Sequence, residues 1–221
     1  MPLAQRVRQI ELALERLRWL PPLRSEKAVV INIPEFRLRA LEVSDGAAAV
    51  RLGMNIIVGR ALVTQTPMFI GSMRHVEFSP YWNVPASIAR KEIIPKLRRD
   101  PAYLAREEME FVGAGGVTTE VSEENLEALA RGELRVRQRP GPRNALGGIK
   151  FVLPNDMDVY LHHTPSVRLF AQSRRDFSHG CIRVEQPVAR RLRLFLRPPC
   201  HLRPGQPVIA RCSTRGLYKH S

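Results

Sequence analysis

The sequence predicts a mixed α+β protein in which strands predominate. Short apolar runs that end at proline or glycine recur through the chain, and in VRLGMNIIVG apolar residues occupy every second position from Val50 to Val58. Helical periodicity is concentrated at the N-terminus and between residues 86 and 139. The composition, 44% hydrophobic and 25% charged over 221 residues, is typical of a folded globular protein.

The N-terminal segment, residues 1–22, predicts an amphipathic helix that ends at Pro21 and Pro22. Its apolar residues recur at helical spacing: Leu3, Val7, Ile10, Leu14 and Leu17. Charges throughout this segment argue against a signal peptide, and no apolar run in the chain reaches the ~18 residues of a membrane span. Two alternatives remain: a cytoplasmic protein, or one whose export segment lies upstream of residue 1.

Strands are predicted over residues 23–85 and again over 140–221. AVVINIP, FRLRALEV and VRLGMNIIVG follow one another, and TPMFIGSMRHVEFSPYWNVP continues the pattern with turn residues between strands. Later in the chain GGIKFVLP, DVYLHHT and QPVIARCS give the same signal, and QPVARRLRLFL predicts a helix among them. These two parts together form one predicted domain.

Residues 86–139 predict a helical insertion into that domain. SIARKEIIPKLRRD has helical spacing that Pro95 must kink or end. Asp100 and Pro101 are a typical start for the helix of DPAYLAREEMEF, and Gly132 closes the helix of SEENLEALARG. Between these helices, the glycines of FVGAGGV predict a flexible stretch.

The charge indicates an anionic partner. The net charge is +14 and the isoelectric point is near 10.9, which suits nucleic acid, a membrane surface or a polyanionic cell wall. The arginines are scattered rather than clustered in one arm, and the sequence has no zinc-finger spacing, RNA-binding signature or recognisable helix-turn-helix. We therefore favour a solvated basic surface and expect no specific nucleic-acid partner.

The segment FSHGCIRVE contains the best candidates for a catalytic or metal-binding role. Cys181 has four possible roles: a buried apolar residue, a metal ligand, half of a disulfide, or a nucleophile that a nearby imidazole activates. His162 ends a predicted strand and His179 lies two residues before the cysteine, so both are candidate partners. Gly180 permits a tight turn that aims the Cys181 amide at an oxyanion, and Arg183 suits a substrate carboxylate.

A metal site is the main alternative for the histidines. His162, His163, His179 and Cys181 offer nitrogen and sulfur donors of the kind that zinc prefers. Adjacent residues of a strand point to opposite faces, however, so at most one of His162 and His163 faces such a site. From the residues alone, simple packing of the cysteine stays the default.

The pairing of HHTP with SHGCIRVE resembles the active-site signature of the L,D-transpeptidases, the YkuD-domain family of bacterial cell-wall enzymes. LERLRWLP, VVINIPEFRLR, RQRPGPRNALGGIKFVLPN and the stretch from TPMFIG to DPAYL are also similar to its large periplasmic branch. The resemblance extends to about Leu196. It implies a catalytic domain of β-sandwich or barrel-like form, with residues 86–139 as a helical cap.

The resemblance also implies roles for individual residues. Cys181 matches the nucleophile, and His162 matches the general base. The residue after the base orients it through its backbone carbonyl; here that residue is His163, where the large branch typically has aspartate.

Other matched residues surround this pair. Ser178, His179 and Gly180 match the part of the motif that shapes the oxyanion region. Four further residues are expected at the substrate or beside its pocket: Arg183, Tyr160, Trp82, and Asn144 of the N-x-L-G block that includes Gly147.

The implied reaction is transfer of an acyl group through a cysteine thioester. It cross-links the third residues of peptidoglycan stem peptides, releases D-alanine, and requires neither metal nor other cofactor. Carbapenems are the implied inhibitors and the periplasm is the implied location. Two alternatives are hydrolysis by the same cysteine, as an L,D-carboxypeptidase or a wall-protein-detaching enzyme, and a non-catalytic wall- or nucleic-acid-binding domain.

Two further expectations concern the cap and the remaining cysteines. The cap is expected to act as a lid that opens about Gly113, Gly115 and Gly116 and excludes water from the thioester. Cys200 and Cys212 lie outside the signature and form either a disulfide, if the protein is exported, or two ordinary thiols.

Overall fold

The computed structural model describes residues 2–18, 27–186 and 209–211. In chain order its helices and strands are α1 (Leu3–Arg18), β1 (Lys27–Asn32), β2 (Arg37–Ser44), β3 (Ala47–Gly59), β4 (His75–Phe78), β5 (Trp82–Asn83), α2 (Ala86–Ile88), α3 (Ile94–Arg99), α4 (Ala102–Arg106), β6 (Met109–Gly113), β7 (Gly116–Thr118), α5 (Glu123–Arg131), β8 (Arg135–Gln138), β9 (Ile149–Val152), β10 (Leu161–His162), β11 (Asp176–Ser178), β12 (Ile182–Val184) and β13 (Ile209–Arg211). A π-helical turn, Ala89–Ile93, joins α2 to α3, and a 3₁₀ helix spans Val167–Ala171.

The larger sheet supports the predicted α+β class. Its strands follow the order β1-β2-β3-β12-β10-β9-β4-β13, and β11 pairs with β3 beside this path. Most neighbours are antiparallel, but β10 pairs in parallel with β12, and β11 in parallel with β3. Within the described residues the path ends at β1 and β13 without closing, so the sheet is not a closed barrel.

The core lies against one face of this sheet, as the alternating pattern of β3 predicts. Leu52, Met54, Ile56 and Val58 are buried in it, whereas Val50, at the start of that pattern, is 58% exposed. Leu161 of β10 and Ile182 of β12 belong to the same core, together with Leu38, Ala40, Met73, Val76, Ile149, Phe151, Val159 and Val184. Residues that alternate with these therefore face the other side of the sheet.

The segment 86–139 contains more strand than the sequence predicts. Strands β6, β7 and β8 of this segment join β5 in a second sheet, in the order β5-β8-β6-β7. Alternate residues of these strands, including Met109, Phe111 and Val136, pack with the helices in a separate core. The segment thus contains the helices that the sequence predicts and, in addition, short strands that bury alternate side chains against those helices. Because β5 joins this sheet from outside the predicted insertion 86–139, the name "cap" from here on denotes residues 82–138.

The glycines that predict a flexible stretch form the end of a hairpin. Gly113 and Gly116 pair with each other where β6 meets β7. A Cβ at Gly113 would lie 2.5 Å from Leu134, which explains the small residue there. The lid itself stays a prediction, but these glycines belong to a hydrogen-bonded hairpin rather than to an irregular linker.

Pro95 neither ends the helix of the cap nor visibly breaks it. Proline has no N–H and collides with the carbonyl four residues earlier in an α-helix. Here the chain forms the π-helical turn just before Pro95, and the Ile94 N–H donates to the Ala89 carbonyl, five residues back. The wider turn accommodates the proline and lets α2 continue into α3 without interruption.

The remaining sequence expectations have mixed outcomes. The N-terminal helix is present, and its apolar positions Leu3, Val7, Ile10 and Leu14 are exposed. Strand β13 lies within the predicted segment QPVIARCS. The helix predicted from QPVARRLRLFL and both Cys200 and Cys212 lie outside the described residues. In the described part of the chain, no helix is long and apolar enough to cross a membrane.

Candidate active site

Strands β10 and β12 bring the predicted catalytic residues together. They pair in parallel, with Leu161 opposite Ile182 and His162 opposite Arg183, and the Ile182 N–H donates to the Tyr160 carbonyl at 3.0 Å. Because Leu161 and Ile182 point into the core, their neighbours point to the opposite face. That face carries Tyr160, His162, Cys181 and Arg183.

His162 is buried and fixed in one tautomer. Its side chain is 4% exposed, and its Nδ1–H donates a hydrogen bond to the carbonyl of His163. Nε2 is then the nitrogen that carries the lone pair. Burial and, to a smaller extent, the charge of Arg183 lower the pKa of this imidazole, the His163 carbonyl partly opposes them, and the resulting pKa is about 3. The imidazole is therefore neutral near pH 7.

Cys181 is a half-buried thiol immediately before β12. Its Sγ lies 3.5 Å from the carbonyl oxygen of Asp158, to which the thiol donates. Burial raises the pKa of this thiol, and hydrogen bonds from the backbone and side chain of Tyr160 partly oppose the rise. Cysteine and histidine are thus both uncharged at rest, so this site holds a neutral thiol and imidazole rather than an ion pair.

The turn that carries Cys181 is held by its own serine. The Ser178 hydroxyl accepts from the Gly180 N–H at 3.1 Å and donates to the Cys181 carbonyl at 2.6 Å. Gly180 has φ +122°, a conformation that glycine adopts readily and other residues avoid. Because the Gly180 N–H is already used, the Cys181 N–H is the better candidate for an oxyanion donor.

Two threonines from the loop after β3 hold the same turn from outside. Thr64 Oγ1 donates to the Ser178 carbonyl at 2.9 Å, and Thr66 Oγ1 donates to the Gly180 carbonyl at 2.8 Å. Thr66 also accepts from the Gly59 N–H at 2.9 Å, so it ties the turn to the end of β3. The backbone on each side of His179 is thereby fixed.

The His179 side chain is directed toward the cap. Its Nε2 lies 2.6 Å from Oε1 of Glu92, in the π-helical turn. Both side chains are about one-third exposed, at 33% and 38%.

Positive charge surrounds the thiol and imidazole. Lys150 of β9 lies opposite His162 in the sheet, and its charge, like that of Arg183, acts on both His162 and Cys181. Burial lowers the pKa of Arg183, and the nearby charge of Arg60 adds to this effect. Among the buried side-chain polar atoms of the described residues, Arg183 Nε is the one without a hydrogen-bond partner. A ligand oxygen would satisfy this donor.

Tyr160 and Trp82 connect the cap to the cysteine. The Tyr160 hydroxyl interacts with the Cys181 sulfur and with the Trp82 indole, and burial raises the pKa of this phenol. The Tyr160 ring also lies 5.7 Å from the His162 ring and 4.6 Å from Lys150 Nζ. Trp82 belongs to β5 of the second sheet, so these contacts link that sheet to the cysteine. The place of both aromatic residues beside a substrate pocket stays a prediction.

His163 faces away from His162, as the strand alternation predicts. Its Nδ1 accepts from the Gly148 N–H at 3.4 Å, and burial lowers the pKa of its imidazole. Gly147 has φ +59°, and a Cβ there would lie 2.3 Å from His163 Nδ1. The His163 side chain therefore packs on the N-x-L-G block, whereas its carbonyl accepts the hydrogen bond from His162.

The Asn144 side chain is buried and fully hydrogen-bonded to backbone. It is 1% exposed; Nδ2 donates to the carbonyls of Pro80, Gln138 and Arg139, and Oδ1 accepts from the Leu146 N–H. These bonds occupy both ends of the amide, so Asn144 joins its own loop to the end of β8 and to Pro80. The expected substrate contact of Asn144 stays a prediction.

Five residues of this site were not identified from the sequence: Glu92, Lys150, Thr64, Thr66 and Asp158. Lys150 had a signal, because it alternates with the buried Ile149 and Phe151 and so lies on the face of the strand opposite the core. Asp158 has φ +54°, which is uncommon outside glycine, but a sequence does not reveal it. Among the described residues, no group of three His, Cys, Asp or Glu side chains could hold a metal ion.

Comparison with known proteins agrees with this geometry. The sequence model of the YkuD family, described as the L,D-transpeptidase catalytic domain, matches residues 26–209. The chain belongs to this family. A Haemophilus influenzae protein named "Putative L,D-transpeptidase" is 29% identical over 179 residues. The match covers 80% of this chain but 35% of that protein, so the chain spans about one-third of the relative's length.

Proposed function

We propose that this protein is a peptidoglycan L,D-transpeptidase that works through a Cys181 thioester. The observation that carries the proposal is the shared sheet face on which a buried, neutral His162, fixed by the His163 carbonyl, accompanies the Cys181 thiol. Membership of the L,D-transpeptidase family supports the reaction class.

The neutral pair supports a general-base mechanism. His162 Nε2 takes the proton from Cys181 as Sγ attacks the carbonyl between the third stem residue and D-alanine. The amine of D-alanine leaves with the proton that His162 returns, and a thioester remains. The side-chain amine of a second stem then attacks the thioester and gives its proton to His162, which returns it to the Cys181 thiolate. Each step balances without a metal or redox cofactor.

The oxyanion is assigned to the turn Ser178–Cys181. The Cys181 N–H points from a turn that Ser178 and Gly180 hold closed, and a fixed backbone donor costs no rearrangement when charge develops. The Tyr160 hydroxyl interacts with the same sulfur and is well placed to stabilise the thiolate or the oxyanion.

Substrate recognition is assigned to positive charge and the aromatic wall. Stem peptides carry carboxylates, and the guanidinium of Arg183 offers an unpartnered Nε beside the nucleophile. Arg60 and Lys150 extend the positive potential around it. Tyr160 and Trp82 form the apolar boundary of the pocket. The same anionic substrate also explains the net charge of +14.

The same proposal gives the location and the inhibitors. A substrate in the cell wall places the protein in the periplasm or cell envelope. Carbapenems acylate the nucleophile of this family, and we propose that they acylate Cys181 here.

Product analysis separates the proposal from its alternatives. The protein is incubated with disaccharide-tetrapeptide, with Cys181→Ala as the control, and products are identified by mass spectrometry. The proposal predicts a cross-linked dimer and free D-alanine from the unmodified protein and neither from the variant. Tripeptide without dimer would identify the L,D-carboxypeptidase alternative. An unchanged substrate would contradict both and favour a non-catalytic binding domain.

A further inference from the structure

One polar contact joins the cap to the turn that carries the nucleophile. Glu92 Oε1 and His179 Nε2 lie 2.6 Å apart although 87 residues separate them in the chain. This distance is typical of a charge-assisted hydrogen bond, in which an imidazole N–H donates to a carboxylate.

The cap holds Glu92 firmly. Ala89 and Ile93, in the same π-helical turn, are each 2% exposed and belong to the cap core. Arg90 Nε donates to the Ala130 carbonyl at 2.9 Å, which ties this turn to α5. The turn exists because Pro95 follows it, and π-helical turns of this kind are frequent at functional sites. The backbone that carries Glu92 is therefore fixed, so its carboxylate extends toward His179 from a defined position.

At the other end of the contact, the backbone around His179 is already fixed. Thr64 binds the Ser178 carbonyl and Thr66 binds the Gly180 carbonyl. The imidazole is the part of this turn that these bonds leave free to rotate, and Glu92 holds it. Two separate segments, the loop after β3 and the cap, thus hold the turn whose next residue is Cys181.

We propose that Glu92 is a positioning residue that acts through His179. By holding the imidazole, it keeps the turn in the conformation that aims the Cys181 N–H and Sγ at the substrate carbonyl. The inference rests on the proposed function, because acylation of Cys181 is the step it assists. It also gives the cap a role in the reaction, because Glu92, which accepts the hydrogen bond from His179, lies in the π-helical turn of the cap.

An ion pair that only stabilises the fold would show the same contact, so the test must separate stabilisation from positioning of the turn. Ion pairs with this degree of exposure contribute little to stability, so their loss should barely change the unfolding temperature. Acylation by a carbapenem, followed as a mass increase, is compared for Glu92→Ala, Glu92→Gln and the control Glu124→Ala, on an exposed position of α5. We expect about tenfold slower acylation for Glu92→Ala and a rate within about threefold of normal for Glu92→Gln, whose amide oxygen still accepts. Glu124→Ala should acylate normally, and all three should unfold at nearly the same temperature.

A double-mutant cycle tests the route through His179. If Glu92 acts through that imidazole, Glu92→Ala should change the acylation rate less than twofold when His179 is already alanine. A normal rate for Glu92→Ala, or the same tenfold loss in the His179→Ala background, would overturn the inference.

A second measurement does not depend on the acylation reaction. Backbone amide NMR signals of Gly180 and Cys181 should shift in Glu92→Ala and stay in place in Glu124→Ala. If no form of the protein is acylated, the proposed function fails, and these shifts alone decide the inference: unmoved signals overturn it and shifted ones support it.

Discussion

Strand β10 and the turn Ser178–Cys181 fix their functional residues by different means. His162 owes its position to the pairing of β10 with β9 and β12 and to the carbonyl of the next residue. The turn owes its shape to hydrogen bonds from distant segments, the loop after β3 and the cap. The proposed base is therefore positioned by local sheet geometry, whereas the turn of the proposed nucleophile depends on tertiary contacts with distant segments.

The largest predicted effect concerns the two histidines of these regions. His162→Ala removes the proposed base and should slow carbapenem acylation by at least about 100-fold. His179→Ala should retain more activity, because that imidazole contacts Glu92 and is assigned to positioning. Acylation rates from intact-protein mass spectra check both. A dead His179→Ala variant beside a normally acylated His162→Ala variant would reverse the assignment of the base.

The burial of His162 also predicts how stability depends on pH. An unfolded imidazole takes up a proton as the pH falls through 6.5, whereas burial lowers the pKa of folded His162 to about 3. Between these values the unfolded state binds more protons, so the free energy of unfolding falls as the pH falls, by about 1.4 kcal/mol per unit from this group.

Chemical denaturation between pH 6.5 and 4.5 measures this slope. His162→Gln cannot titrate and should lose this part of it, while other groups contribute equally to both proteins. Identical slopes for the two proteins would show that folded His162 titrates normally, against the burial described here.

The smallest predicted effect tests the threonine that holds the turn. Thr66→Val preserves the shape but leaves the Gly180 carbonyl and the Gly59 N–H without their partner. We expect about tenfold slower acylation, with recovery in Thr66→Ser. Thr118→Val, which removes a hydroxyl that accepts from Glu120 in the cap, is the matched control and should acylate normally. Equal acylation rates for both valine variants would show that the Thr66 hydroxyl does not assist acylation.

The same contrast explains what the sequence predicts. Alternation in VRLGMNIIVG predicts β3 and its buried face, because a strand half buried on a core has that pattern wherever it lies. The opposite directions of His162 and His163 follow from the same period. Thr66 and Glu92, which lie outside the family signature, cannot be predicted in this way. Thr66 contacts Gly180, 114 residues away in the chain, and Glu92 contacts His179, 87 residues away. Such tertiary contacts have no local sequence signal.

The second sheet was missed for a related physical reason. RVRQ in β8 alternates charged residues with one fully buried valine, Val136, and a strand of four residues is too short to establish a period. The glycines of FVGAGGV have the composition of a flexible linker, although they form the hairpin that joins β6 to β7. In both segments, packing against the cap helices decides the structure.

The central claim is that Cys181 is the nucleophile, and intact-protein mass spectrometry after incubation with a carbapenem tests it most directly. The account predicts a single covalent adduct on the unmodified protein, located on the peptide that contains Cys181 after proteolysis. Cys181→Ser should carry no adduct under the same conditions. An adduct of equal extent on the serine variant, or one located on another residue, would contradict the claim.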